Sequence, residues 1–135
     1  ILDDAIGTAK GNIAAHFQLV EGKAVTNADA NSVHTNFDDN NNLLIKSFGT
    51  VKMVDEEGKV SYSYRKEKER PAFAFQQQKD NDKTISFTTI LLPYAGTAPT
   101  VTVTTGPKMN LNTGFIDLTV NIAGKQQHIT EQLSK

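Results

Sequence analysis

The sequence predicts an all-β protein, an antiparallel β-sandwich of about ten short strands in one domain spanning residues 1–135. Two observations carry this. Apolar and polar residues alternate with a period of two in one short stretch after another, and no long stretch supports the helical period of 3.6. Gly, Pro, Asn and Asp clusters separate these stretches at regular spacing, as turns between strands do.

Along the chain, "NIAAHFQL" (12–19) places Ile13, Ala15, Phe17 and Leu19 on one face. Residues 21–23 read as a turn, 23–27 as a short strand, and 32–37 as another with Val33, Thr35 and Phe37 aligned. "DDNNN" (38–42) reads as a loop, because Asp and Asn side chains bond their own backbone and tolerate left-handed conformations. Residues 43–48 follow as a buried run. Residues 50–54 and 59–64 flank "DEEG", which predicts a hairpin with positive φ at Gly58. Pro71 opens a strand over 71–78, where a missing N–H is tolerated, and "DNDK" turns the chain. Residues 84–92 form the strongest strand, apolar on both faces in its second half. That predicts a central position ending at Pro93. "PTVTVTT" (99–105) is rich in β-branched residues. Residues 115–122 and 125–130 flank Ala123-Gly124 as a hairpin, with Ile116, Leu118, Val120 and Ile122 on the apolar face and Asp117, Thr119 and Asn121 on the wet one. "EQLSK" is expected to fray.

A formal net charge of −1 gives no global field for nucleic acid, and no apolar run reaches the length of a membrane span. Without Cys there is neither a disulfide framework nor a thiolate metal site. The chain opens without Met inside "ILDDAIG", which suggests a processed chain or a piece of a longer one. His16, His34 and His128 stand apart in sequence, each expected to be a half-exposed strand residue, and no metal or other cofactor is called for. Asp38-Asp39 with its Asn run offers oxygen ligands, but the spacing is not that of an EF-hand and a polar turn is the better reading. No nucleophile elbow, phosphate loop or dinucleotide fingerprint occurs.

The stretch "SYSYRKEKERPAFAFQQQ" (61–78) holds six consecutive charges, four basic and two acidic, hence net +2, between two alternating segments. Mixed signs suit a solvated connection between two antiparallel strands or an extension of the first. As an extension, one face carries Arg65, Glu67 and Glu69 and the other a basic row, Lys66, Lys68 and Arg70. With Tyr62 and Tyr64 sharing a face just before it, that row is the candidate contact for an acidic polysaccharide. The absence of Trp weighs against a strong sugar-stacking platform.

The order of phrases matters more than any one of them. Residues 4–7, then "HFQL" (16–19), "GKVSYSY" (58–64), "RPAFAF" (70–75) and "LLPY" (91–94) together resemble the C-terminal β-sandwich of heparinase II/III-like polysaccharide lyases. The resemblance covers residues 1–94; the remainder fits as closing strands without a diagnostic phrase. It implies an N-terminal α/α toroid in the same parent chain, carrying most catalytic groups, and β-elimination on uronic-acid polysaccharides. It also implies periplasmic or extracellular placement. The family's own sandwich His sits in an "AHN"- or "AHS"-like phrase upstream of the Asp-Gly motif; His34, in "SVHTNF", does not match it. No catalytic residue is therefore carried over, and the chain alone is expected to be inactive. Two other readings stand beside this one: an independent carbohydrate-binding module, and a structural sandwich of an extracellular multidomain protein. A homodimer through an exposed sheet edge is a further expectation.

Overall fold

A computed structural model describes residues 1–133 of the chain, which is all β, with no helix among the described residues. Thirteen strands are present among the described residues: β1 (Leu2–Ala5), β2 (Gly11–Gln18), β3 (Ala24–Asn27), β4 (Ser32–Thr35), β5 (Asn41–Phe48), β6 (Lys52–Glu56), β7 (Lys59–Ser63), β8 (Lys66–Glu69), β9 (Ala72–Lys79), β10 (Ile85–Ala95), β11 (Val101–Thr105), β12 (Phe115–Ile122) and β13 (Lys125–Gln132). They fall into two compact units, one from Ile1 to Gly96 and one from Thr97 onward.

In the first unit a five-stranded antiparallel sheet, ordered β1-β10-β5-β4-β3, faces a three-stranded one, β2-β9-β6. Alternation explains the pairing of faces. Val33, Ile45 and Phe87 point inward from the larger sheet and meet Met53, Phe73 and Phe75 from the smaller, with Val51 beside them. Ile13, Ala15, Phe17 and Leu19 pack on this core from one side of β2, as their spacing predicts. Phe17 lies opposite Phe73 in the ladder and stacks on it at 5.4 Å, while Phe75 meets both rings edge-on. The "AFAF" segment is buried on both faces. Phe73 and Phe75 fill the core, and Ala74 stays small where His16 and Val54 flank it across the ladder.

The second unit is a three-stranded antiparallel sheet, β11-β12-β13. Ala123-Gly124 forms the predicted two-residue hairpin, and both residues have positive φ, 48° and 85°, as a turn matched to strand twist requires.

Several expectations fail for physical reasons. Residues 50–54 and 59–64 do not form a hairpin. Asp55 and Glu56 continue β6, which pairs with the central strand β9, and β7 pairs instead with β8. Gly58 has no positive φ. It is required for space, because a Cβ there would lie 2.6 Å from both the Arg70 carbonyl oxygen and the Ala72 Cβ. β10 does not stop at Pro93 but runs to Ala95 along β5. The Thr89 N–H donates to the Ile1 carbonyl, so every second residue from Thr89 aims toward the β1 side. Pro93 aims that way too, past the end of β1, where no ladder bond is lost. β10 does lie between β1 and β5, as predicted, but its second half pairs with β5 alone, and Leu91 is 41% exposed. Glu131 and Gln132 belong to β13; Ser134 and Lys135 lie outside the described residues.

Candidate functional site

The charged run builds a ribbon of its own. β7 ends at Ser63, Tyr64 and Arg65 make the turn, and Lys66 returns as β8. Arg65 sits at φ 58°, a left-handed conformation suited to a tight two-residue turn, with its guanidinium 5.0 Å from the Tyr64 ring centre. The charges are thus neither a simple connection between the "SYSY" and "AFAF" segments nor an extension of the first. They fold back on it, and "AFAF" pairs with β2 and β6. A bulge between Val60 and Ser63 interrupts the alternation, so the period of two does not carry from Tyr62 to Tyr64.

Every residue of β8 is exposed, as are Tyr62 (70%) and Tyr64 (85%). The strand sorts its charges by face. Glu67 reaches Lys59 at 3.2 Å, and Glu69 stands opposite Lys59 in the ladder. Beside it lies a cleft lined by Glu56, Glu57, Gly58, Lys59, Glu69 and Arg70, where three carboxylates stand with two cations. Lys66 and Lys68 share the other face. This basic face is partly engaged from within. Lys68 Nζ donates to Glu21 Oε2 at 3.1 Å, and the Arg70 guanidinium donates to Gln18 Oε1. Arg70 Nε is buried with no hydrogen-bond partner. Lys66 forms no ion pair among the described residues. The five predicted contact residues therefore lie on one ribbon, with Tyr62, Tyr64 and Lys66 open, Lys68 half-committed and Arg70 drawn against the end of β2.

Pairings that the sequence did not suggest lie elsewhere. His16 Nδ1 is 2.9 Å from Glu56 Oε2, and His128 Nε2 is 2.7 Å from Asp117 Oδ1. Asp117 was expected on a wet face and is 3% exposed, because the turn after β11 folds over it. The Lys108 N–H donates to its Oδ2 at 2.9 Å, and Gly106 packs so closely that a side chain there would land on the carboxylate. The hydrogen bond from His128, then that from Lys108, hold the Asp117 carboxyl below the usual carboxylate range. On the Asn-rich turn, the Asn41 backbone and side-chain N–H groups lower Asp39 in the same way. That loop is shorter than predicted, since Asn41 and Asn42 already belong to β5. An apolar cleft beside it is lined by Phe37, Asn41, Asn42, Leu43, Pro93 and Tyr94, and burial raises the Tyr94 hydroxyl. Among the described residues no three His, Cys, Asp or Glu side chains converge as metal ligands would.

No protein-family profile matches the chain. It is 41% identical over 131 residues to a heparin-sulfate lyase of Pedobacter heparinus, covering 94% of this chain and 20% of that protein. The crystal structure of heparan sulfate lyase HepC from the same organism superposes with a TM-score of 0.94 at 40% identity, over 99% of this chain and 22% of that one. A crystal structure of heparinase III gives a TM-score of 0.88 at 25% identity, over 98% of this chain and 21% of that one. The chain thus spans about a fifth of the length of the relatives it matches. Near-complete coverage of this chain, identity well above the level that shows fold alone, and a shared all-β architecture have one meaning: the chain belongs to the heparinase III-like lyases, as their C-terminal β-sandwich domain.

Proposed function

We propose that this chain is the support sandwich of a lyase that cleaves a heparin-type polysaccharide by β-elimination, and that it holds substrate without performing the chemistry. In that reaction a base removes the C5 proton of a uronate, the C4–O bond breaks as the C4–C5 double bond forms, and the leaving oxygen takes up a proton. The reading assigns those steps to an N-terminal α/α toroid of the same parent chain. It assigns to the β7–β8 ribbon a grip on the acidic polymer through Tyr62, Tyr64, Lys66, Lys68 and Arg70. Periplasmic or extracellular placement follows from the same reading, since a polymer substrate of this class lies outside the cytoplasm. A homodimer has a free ladder edge available on β10 beyond β1, although Pro93 removes one donor from it.

The observation that supports the grip is the ribbon itself: two tyrosines and a lysine stand in solvent on a strand pair that no core packing requires. The test is heparan sulfate affinity chromatography of the chain beside the Lys66→Gln/Lys68→Gln/Arg70→Gln variant. Loss of exposed charge pairs worth about 0.2–1 kcal/mol each lowers affinity roughly tenfold. Equal elution of the two proteins contradicts the grip. An ultraviolet assay for unsaturated uronate tests the division of labour, and robust cleavage by this chain alone contradicts it. Affinity for the polymer in the absence of the toroid, with the parent's activity unaffected by the variant, favours an independent carbohydrate-binding module.

A further inference from the structure

The Lys68–Glu21 pair carries a consequence for binding. Glu21 lies in the turn between β2 and β3, and that turn is fixed. Gly22 adopts φ +146°, and a Cβ there would meet the Phe37 ring at 2.9 Å. The Lys23 carbonyl accepts the Asn36 N–H at 2.8 Å, and the Leu19 N–H donates to the Pro71 carbonyl at 2.9 Å, one residue beyond Arg70. The turn is thereby tied to the base of the ribbon. The Glu21 side chain is 27% exposed, against 65% for Lys68, so a partly buried carboxylate meets a more exposed ammonium. Gln18, at the end of β2, takes Arg70 in the same way with a neutral amide. One short segment thus presents an acceptor oxygen to two of the three basic residues.

We propose that Glu21 is an internal competitor for the polysaccharide: its carboxylate occupies Lys68 in the free protein, and an anionic group of the polymer takes its place on binding. The proposal rests on the ribbon's role as a polysaccharide contact. A half-exposed ion pair contributes little to stability, so displacement is easy, and Lys68 keeps two further N–H donors for an incoming oxyanion. Glu21 would set a threshold, admitting polymers whose charge density outcompetes one carboxylate and rejecting weakly charged ones.

The experiment compares the chain with Glu21→Gln, Lys68→Met and the double variant by calorimetric titration with heparan sulfate at fixed ionic strength. Far-ultraviolet circular dichroism confirms that each folds. Glu21→Gln should bind about two- to fivefold more tightly, the range expected when an exposed pair is released. In the Lys68→Met background the same substitution should change nothing. A gain that persists without Lys68 reports net charge alone and overturns the proposal. Unchanged or weaker binding by Glu21→Gln while the unsubstituted chain binds overturns it as well and leaves the ribbon contact standing. If neither the unsubstituted chain nor Glu21→Gln binds, the ribbon contact and the competitor both fail.

Discussion

Replacing Phe75 with Ala should remove a large share of the stability of the first unit. The side chain is 0% exposed, lies between Ala15 and Met53 in the ladder, and meets the Phe17 and Phe73 rings at 5.7 and 5.5 Å. Removing a buried phenyl ring costs about 3–5 kcal/mol, combining lost transfer energy with the cavity left behind. With both faces of the cavity walled by strands that are hydrogen-bonded in place, collapse is limited and the upper half of that range applies. Against a typical domain stability of about 5–15 kcal/mol, this is roughly a quarter of the total or more. For a unit of this size it corresponds to a fall in melting temperature of about 16–40 °C. Urea unfolding followed by circular dichroism should show a lower midpoint at unchanged slope. Tyr64→Ala, at an 85% exposed position, should stay within about 0.5 kcal/mol of the parent. If Phe75→Ala costs no more than Tyr64→Ala, the two sheets do not share this core and the sandwich is wrong.

Other substitutions probe other parts. Gly58→Ala should destabilise by about 1–3 kcal/mol through overpacking, since the new methyl meets the Arg70 carbonyl and the Ala72 Cβ; equilibrium unfolding at parental stability would remove the steric account. Lys79 is 2% exposed and donates to the Gly7 and Asn81 carbonyls, so Lys79→Met should cost about 1.5–3 kcal/mol in urea by removing the charge-assisted hydrogen bonds that tie the two loops to the end of β9. Asp117 has a lowered folded-state pKa, so its contribution is present above the unfolded carboxylate value of about 4 and is lost as pH falls through the folded one. Asp117→Asn should therefore lower the urea midpoint at neutral pH and flatten its decline below about pH 4; an unchanged acid limb would show that the His128 contact carries no linkage.

What could be read from the residues was the part governed by local periodicity. The Ile13–Leu19 face of β2, the phenylalanines of β9 and the Ala123-Gly124 turn follow from alternation and from φ preferences within a few residues. The partner of each strand was less legible, because a ladder is a relation between two stretches. "DEEG" looks like a hairpin turn, yet β6 gains more beside the largely buried β9 than beside β7, whose residues are mostly exposed. That choice sent the charged run back along β7 and created the ribbon. The burial of Asp117 depends on a turn ten residues earlier folding over the sheet, and the hold of Glu21 on Lys68 joins residues 47 apart; neither has a local signature. The candidate contact residues were legible as a group through their charge and aromatic pattern, but not their unequal availability, since Arg70 is drawn inward by Gln18 and Lys66 is not.

Steady-state kinetics of the whole parent lyase on heparan sulfate, with and without Lys66→Gln/Lys68→Gln/Arg70→Gln, separates grip from chemistry. A ribbon that holds substrate predicts a KM raised about tenfold with kcat unchanged, because uniform binding is lost while the reacting groups stay in place. A fall in kcat at unchanged KM would put the ribbon in the chemistry, and unaltered kinetics would take it out of the reaction altogether; either result contradicts the function proposed for this sandwich.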